Sequence, residues 1–335
     1  MDQAYDQDFM EGDGLERHQG TDLDIRTVMA RMPRDVKEWT KLSEVPWARF
    51  LHAYGPANDI PDLLTGIRSG DAAIAARALD ELRGAICHQG TTYPSSALVV
   101  PFLLRIAADP TTHHRADVLK LPADSARCIM YVRPGSREGL LQTIPSPPVV
   151  LFDNGGYPAN WSVEAARDAI AADAHIVLPL LDDADAAVRQ AACYVLAVAT
   201  GDGRRISAAL RERLDVEDVP GVRVSLTLAI AQLARDRPDE RQSAIDWTRA
   251  SWSDPAQPAE VRLGAALAWS CLADDDPVPD ELFAVLTETV SLDRSRMMEQ
   301  VPWVWDIPYP DRGFYRCLEA MFGPGVYRWL HPNSV

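Results

Sequence analysis

Apolar residues recur at helical spacing along most of the chain, and the clearest case lies between residues 174 and 200. One face there is lined at i, i+3, i+4, i+7, i+8 and i+11 by Val188, Ala191, Ala192, Val195, Leu196 and Ala199, which is typical of an amphipathic helix. An apolar run over 176–181 precedes it, and an acidic turn with Asp183 and Asp185 separates the two. The pattern predicts a helical hairpin that cannot cover its own apolar face and needs copies on either side.

Two markers indicate such copies. A Val-Arg pair followed by an alanine-rich stretch occurs three times, with its arginine at Arg189, Arg223 and Arg262, at steps of 34 and 39 residues. Arg77 and Arg115 continue this period upstream. The second marker is a proline followed by leucines, at Pro61, Pro101 and Pro179. Because both markers have nearly the same period, we predict stacked helical hairpins over most of the chain.

With this period, the proline-marked first helix, the aspartate-containing turn and the Val-Arg opening of the second helix, the sequence resembles HEAT-repeat proteins of the armadillo-type class. The resemblance covers roughly residues 46–273 and lapses near 130–160. It implies an all-α fold, a right-handed α-solenoid with an irregular central insertion. It also implies that Arg189, Arg223 and Arg262 form a structural ladder with turn aspartates.

The pattern divides the chain into six predicted parts. They are an acidic disordered tail (1–24), an N-terminal cap (25–45), HEAT-like repeats (46–129), a proline- and glycine-rich insertion (130–162), further repeats (163–276) and an aromatic-rich C-terminal cap (277–335). The insertion is either a binding lid or a decayed repeat. The terminal aromatics either seal the last repeat, which we favour, or form an exposed recognition patch.

Charge and cysteine content limit the possible functions. The formal net charge is −16, so a nucleic acid is an unfavourable ligand and a basic protein surface is a favourable one. Five widely spaced cysteines without a CxxC motif are expected to be buried thiols in a reducing compartment. The N-terminus lacks the features of a signal peptide, and no apolar run is long enough to span a membrane. We therefore expect a cytoplasmic protein.

The most distinctive short segments are HAYG at 52–55 and HQGTTY at 88–93. Histidines 36 residues apart, each expected to end a helix, would project from one edge of neighbouring units, either as a binding or proton-transfer pocket or as caps on helix ends. Together with aromatics of the insertion they give the predicted binding residues: His52, Tyr54, His88, Gln89, Tyr93, Tyr157 and Trp161. No catalytic residue can be chosen among them.

Motifs for cofactor or metal chemistry are missing from the sequence. There is no phosphate-binding glycine loop, GxSxG or HExxH, and adjacent residues such as His113 and His114 diverge too far on a helix to share an ion. We therefore expect no cofactor and no metal. The leading hypothesis is a non-catalytic scaffold that binds a protein on its concave face or N-terminal edge, and a specific version of it is an antitoxin- or immunity-like protein. The alternative is an enzyme or small-molecule binder with a pocket between the His52/His88 edge and residues 130–162.

Overall fold

The structure, a computed structural model, describes residues 18–127, 137–141, 150–199, 201–273, 276–305 and 313–323. These residues are mostly helical, and the fold class is all-α. The N-terminal part contains α1 (Ile25–Arg31), α2 (Arg34–Glu38), a two-stranded hairpin of β1 (Leu51–His52) and β2 (Gly55–Pro56), α3 (Ile60–Ile67), α4 (Ala72–Ile86), α5 (Pro94–Ala108) and α6 (Arg115–Ser125).

The helices resume after the insertion and continue towards the C-terminus. They are α7 (Ala159–Ala172), α8 (Ala174–Val177), α9 (Ala186–Leu196), α10 (Gly203–Val216), α11 (Pro220–Arg235), α12 (Pro238–Ser253), α13 (Ala259–Leu272), α14 (Asp280–Thr289), α15 (Leu292–Met298), α16 (Pro302–Trp305) and α17 (Phe314–Phe322). Short 3₁₀ helices occupy Leu42–Glu44, Trp47–Arg49, Ala57–Asp59, His88–Gly90, Arg137–Leu140 and Leu178–Asp182. No helix of the described residues has the length and apolar character needed to cross a bilayer.

Four helices, α6, α9, α11 and α13, pack side by side in that order, and we call them the central helical row. The Val-Arg pairs occupy the third and fourth residues of α9, α11 and α13 alike. α10 and α12 pack against α11, and α12 and α14 pack against α13. The sequence register thus corresponds to one repeated structural position in three consecutive helices of the row.

The central helical row is also covered by other segments of the chain. α16 packs on α9, α15 packs on α11, and the 3₁₀ helix at 137–140 packs on α13 and on α17. Between α11, α12, α14 and this 3₁₀ helix, α13 is buried at every position from Val261 to Leu272. Among the terminal aromatics, Trp303 and Phe314 are buried, whereas Tyr309, Tyr327 and Trp329 lie outside the described residues.

The second marker does not have one structural position. Pro61 is the second residue of α3, but Pro101 lies inside α5 and Pro179 lies in a 3₁₀ helix. Pro101 is buried and remains in the helix, although proline lacks the amide hydrogen that a helix interior uses. The proline marker therefore does not identify the start of each first helix.

The arginine ladder differs from the expectation. The guanidinium of Arg189 donates to the backbone oxygens of Asp183 and Ala184, and it forms a buried pair with Glu217, at 2.9 Å from Nε to Oε2. Arg262 pairs with Glu288 at 2.9 Å from Nη1 to Oε1, but the side chain of Glu288 is 65% exposed. Both partners are glutamates that follow the arginine in sequence rather than turn aspartates, and the carboxylate of Asp183 accepts from Arg115 instead.

The predicted tail includes residues that are packed in the structure. Residues 1–17 lie outside the described part, but Asp24 is buried and its carboxylate caps α1 by accepting from the amide of Arg26. Asp24 therefore packs with α1, because a carboxylate at a helix N-terminus gains hydrogen bonds that composition alone does not reveal. α7 begins at Ala159, within the residues assigned to the insertion.

Candidate functional site

His52 lies in a tight hairpin and not at the end of a helix. Leu51 pairs with Pro56 and His52 pairs with Gly55. Gly55 has φ +137°, which residues with a side chain rarely adopt, and Pro56 has no amide hydrogen for a helical bond. The amide of Ala53 donates to the carbonyl of Ala85 at 3.0 Å and fixes the hairpin to the end of α4.

Both ring nitrogens of His52 are engaged within the hairpin region. The amide of Tyr54 donates to Nδ1 at 3.0 Å, and Nε2 lies 2.9 Å from Oδ1 of Asp59. Because a backbone amide can only donate, Nδ1 is the acceptor and Nε2 carries the hydrogen that Asp59 accepts. The side chain is only 5% exposed. His52 is therefore placed to hold the hairpin and has no free nitrogen with which to act as a base.

Tyr54 stands at the tip of the hairpin between the two histidines. Its ring centroid is 6.1 Å from that of His52 and 5.3 Å from that of His88, in edge-on contacts. The phenol oxygen lies 3.2 Å from Nδ1 of His88, and the side chain is 68% exposed. The neighbouring Gln89 is also exposed, with φ 50°. The structure thus brings together four of the seven predicted residues, of which Tyr54 and Gln89 are exposed and His52 is buried.

The other three predicted residues lie elsewhere. Tyr93 is buried at the start of α5, where its amide donates to Oγ of Ser96. Tyr157 is buried against α1: its hydroxyl accepts from the amide of Ile25 and donates to the carbonyl of Leu23, both at 2.9 Å. Burial raises the pKa of Tyr157 well above its usual value. Neither tyrosine contributes a free group to the hairpin surface.

Trp161 and the turn at 153–157 connect the insertion to the N-terminal part. The guanidinium of Arg26 lies 3.9 Å from the ring centroid of Trp161. At Gly155, an added Cβ would lie 3.3 Å from Cδ1 of Leu51, so the turn packs directly against the hairpin. Asp153 closes this turn by accepting from the amides of Gly155 and Tyr157, and burial raises the pKa of its carboxyl despite those bonds. The described part of the insertion supports the hairpin.

Two further large apolar side chains of the N-terminal part are exposed. Trp39, which follows α2, is 74% exposed, and Leu51 in β1 is 43% exposed. Both α2 and β1 pack against α5. We call Trp39, Leu51, Tyr54, His88 and Gln89 the N-terminal edge. Leu51 and Asp59 were not among the residues predicted from the sequence, where their only indication was their place near HAYG.

A separate cleft of about 250 Å³ lies between α1, α2 and residues 44–49. It is lined by Asp22, Thr27, Val28, Arg31, Met32, Pro33, Val36, Glu44, Val45, Pro46 and Arg49. None of the seven predicted binding residues contributes to it. Among the described residues that line it there is no histidine or cysteine, and its charged members are Asp22, Arg31, Glu44 and Arg49.

Metal-binding geometry is likewise not found in the part of the chain that the structure describes, where no three His, Cys, Asp or Glu side chains form a potential metal site. His113 and His114 each bond a different carbonyl, of Gly70 and Ala72 respectively. Comparison of the chain with protein-family models, with curated proteins and with solved structures gives no match.

Proposed function

We propose that this chain is a non-catalytic protein-interaction scaffold that binds a partner protein through its N-terminal edge. The observation that carries the proposal is Tyr54, a 68% exposed aromatic residue on a hairpin that is held by partly buried hydrogen bonds of His52. Tyrosine and tryptophan are the residues that most often dominate the binding energy of protein interfaces. A rigid support lowers the entropy that such a side chain loses on binding.

The scaffold in this proposal is a right-handed α-solenoid of HEAT-like hairpins. Support for it comes from the common register of the Val-Arg pairs and from the packing of the row in the order of the sequence. A stack of this kind has two ends, and its terminal units expose faces that internal units bury. The N-terminal edge is at such an end.

Binding on the central helical row has less support. α15, α16 and residues 137–140 already pack on it, so a partner there would have to displace them. At the N-terminal edge, no packed helix among the described residues would have to be displaced. The proposed partner is therefore placed at the edge and not on a concave face.

The proposed partner carries a basic surface. The chain has 49 acidic against 33 basic residues, and the segment that follows the hairpin exposes Asp59, Asp62, Asp71, Asp80 and Glu81. Complementary charge speeds association and selects among partners more than it adds affinity. We expect binding to weaken and association to slow as salt rises.

The enzymatic alternative has less support from the same geometry. A general base needs a free acceptor within reach of substrate, and His52 has none. His88 contacts the phenol of Tyr54 through Nδ1, which leaves only its Nε2 as a candidate acceptor. The edge is an open surface, whereas small-molecule sites are concave.

The test places a photo-crosslinking amino acid at residue 54 or 39 in the full-length protein in its native cells. Residue 216 serves as the matched control, because Val216 is 70% exposed at the end of a distant helix. We expect one protein to crosslink from 54 and 39 but not from 216. With that partner purified, Tyr54→Ala should weaken binding at least tenfold, whereas Val216→Ala should leave it unchanged. Equal crosslinking from all three positions, or turnover of a metabolite by the purified protein, would contradict the proposal.

A further inference from the structure

A buried polar centre lies on the central helical row, far in sequence from the N-terminal edge. It is formed by Arg127 after α6, Tyr194 of α9, Gln232 of α11 and Trp303 of α16. Each of the four is at most 4% exposed. Three elements of the row thus meet a C-terminal helix at one point, where the core is polar.

Gln232 is the node of this centre. Its Oε1 accepts from Nε1 of Trp303 at 2.7 Å and from Nη2 of Arg127 at 3.1 Å. The guanidinium carbon of Arg127 lies 3.7 Å from the ring centroid of Tyr194. The indole of Trp303 meets the same ring edge-on at 4.9 Å. The indole is therefore held as a bound ligand would be, by an aromatic contact and a hydrogen bond to a carboxamide.

Two hydrogen-bond donors in the centre are not used. Among the described residues, neither Nε2 of Gln232 nor the hydroxyl of Tyr194 has a hydrogen-bond partner, although both atoms are buried. Arginine and indole can only donate, so the oxygen of Gln232 must face them and the amide nitrogen cannot take its place. Indole occupies the acceptor of the carboxamide but cannot satisfy its donor, because indole has no acceptor of its own.

We propose that this centre is a second binding site, for a planar aromatic ring that carries an N–H beside a C=O, and that Trp303 is its internal occupant. Such a lactam edge would donate to Oε1 of Gln232, as the indole does, and would also accept from Nε2. Carboxamide side chains recognise the paired donor and acceptor of a heteroaromatic base by the same two bonds. The hydroxyl of Tyr194 supplies a third contact.

Chemical complementation tests the proposal. Trp303→Ala removes the internal occupant, and the full-length variant is titrated with indole and with 2-oxindole, which adds a C=O beside the N–H. One additional hydrogen bond of about 1.4 kcal/mol corresponds to about tenfold tighter binding of 2-oxindole. Adding Gln232→Leu should abolish that preference. Equal affinities of the two probes, or no binding of either, would overturn the proposal.

If Trp303→Ala does not fold, the wild-type protein still provides a test. A ligand that enters the centre must displace Trp303, so 2-oxindole should increase amide hydrogen exchange at residues 303–305 more than indole does. An equal effect of both probes, or no effect, would again overturn the proposal. The binding function proposed for the N-terminal edge does not depend on this result, since it concerns different residues and is tested by crosslinking.

Discussion

The central helical row and the N-terminal edge stabilise themselves in different ways. In the row, α9, α11 and α13 repeat one register, bury nearly all their side chains, and pair a buried Arg189 with Glu217, whose side chain is fully buried. At the edge, short irregular elements are held by His52 and by Asp59, which is 58% exposed. Repetition therefore builds the scaffold, whereas the departure from repetition produces the exposed surface.

The largest expected difference between the regions concerns their charge pairs. Glu217→Ala should lower the free energy of unfolding by about 3–5 kcal/mol, because it leaves Arg189 buried without its carboxylate. Asp59→Ala at the edge should cost less than about 1 kcal/mol, since water can replace the exposed partner of His52. Urea denaturation of both variants measures this. Equal losses would show that the two regions do not differ as described.

Acid should destabilise the protein by protonating Glu217, the partner of Arg189 in the central helical row. Burial alone would raise the pKa of Glu217, but hydrogen bonds from Arg189, the amide of Val219 and Arg213 outweigh it and hold the pKa at about 2, against 4.5 for a free glutamate. The contribution of Glu217 is therefore complete above about pH 4.5 and is lost as pH falls towards 2, by up to about 3 kcal/mol. Unfolding midpoints measured between pH 2 and 6 test this. In Glu217→Gln the slope should be smaller, and an unchanged slope would contradict the assignment.

The next largest expected effect on stability comes from the close packing of helices in the central helical row. A Cβ on Gly264 of α13 would lie 3.3 Å from Cα and Cγ1 of Val224 in α11, and the Cα cannot move away without shifting the helix. Gly264→Ala should therefore destabilise by about 1–2 kcal/mol. Gly70, between α3 and α4, has nothing within 4 Å of an added Cβ, so Gly70→Ala should change stability by less than about 0.5 kcal/mol. Thermal unfolding of the pair is the measurement, and similar midpoints would argue against tight contact between α11 and α13.

The smallest expected difference in stability is between His52, which supports the N-terminal edge, and His88, which belongs to it. His52→Ala should cost about 1 kcal/mol, because the amide of Tyr54 loses its acceptor and a buried ring is removed. His88→Ala should cost less than about 0.5 kcal/mol, since His88 bonds only the exposed phenol of Tyr54 among the described contacts. A larger loss for His88→Ala than for His52→Ala would reverse the roles assigned to them.

The sequence predicted some of the site and missed how it is built. The association of His52, Tyr54 and His88 was predicted from HAYG, HQGTTY and their spacing, and the structure places these three side chains in contact. The predicted helix end at His52 was wrong, because Gly55 and Pro56 form a turn. Tyr93 and Tyr157 were included for their chemistry, but their burial depends on α5 and α1, which periodicity cannot place.

By itself, the sequence determined the all-α class and the register of α9, α11 and α13, because helical periodicity and a repeated Val-Arg pair are local properties of the chain. Tertiary structure alone decided that Arg189 pairs with Glu217, that the C-terminal segments cover the central helical row, and that Trp303 reaches Gln232, which is 71 residues away. Those contacts join residues with no common period, so their positions follow from packing in three dimensions and not from spacing along the chain.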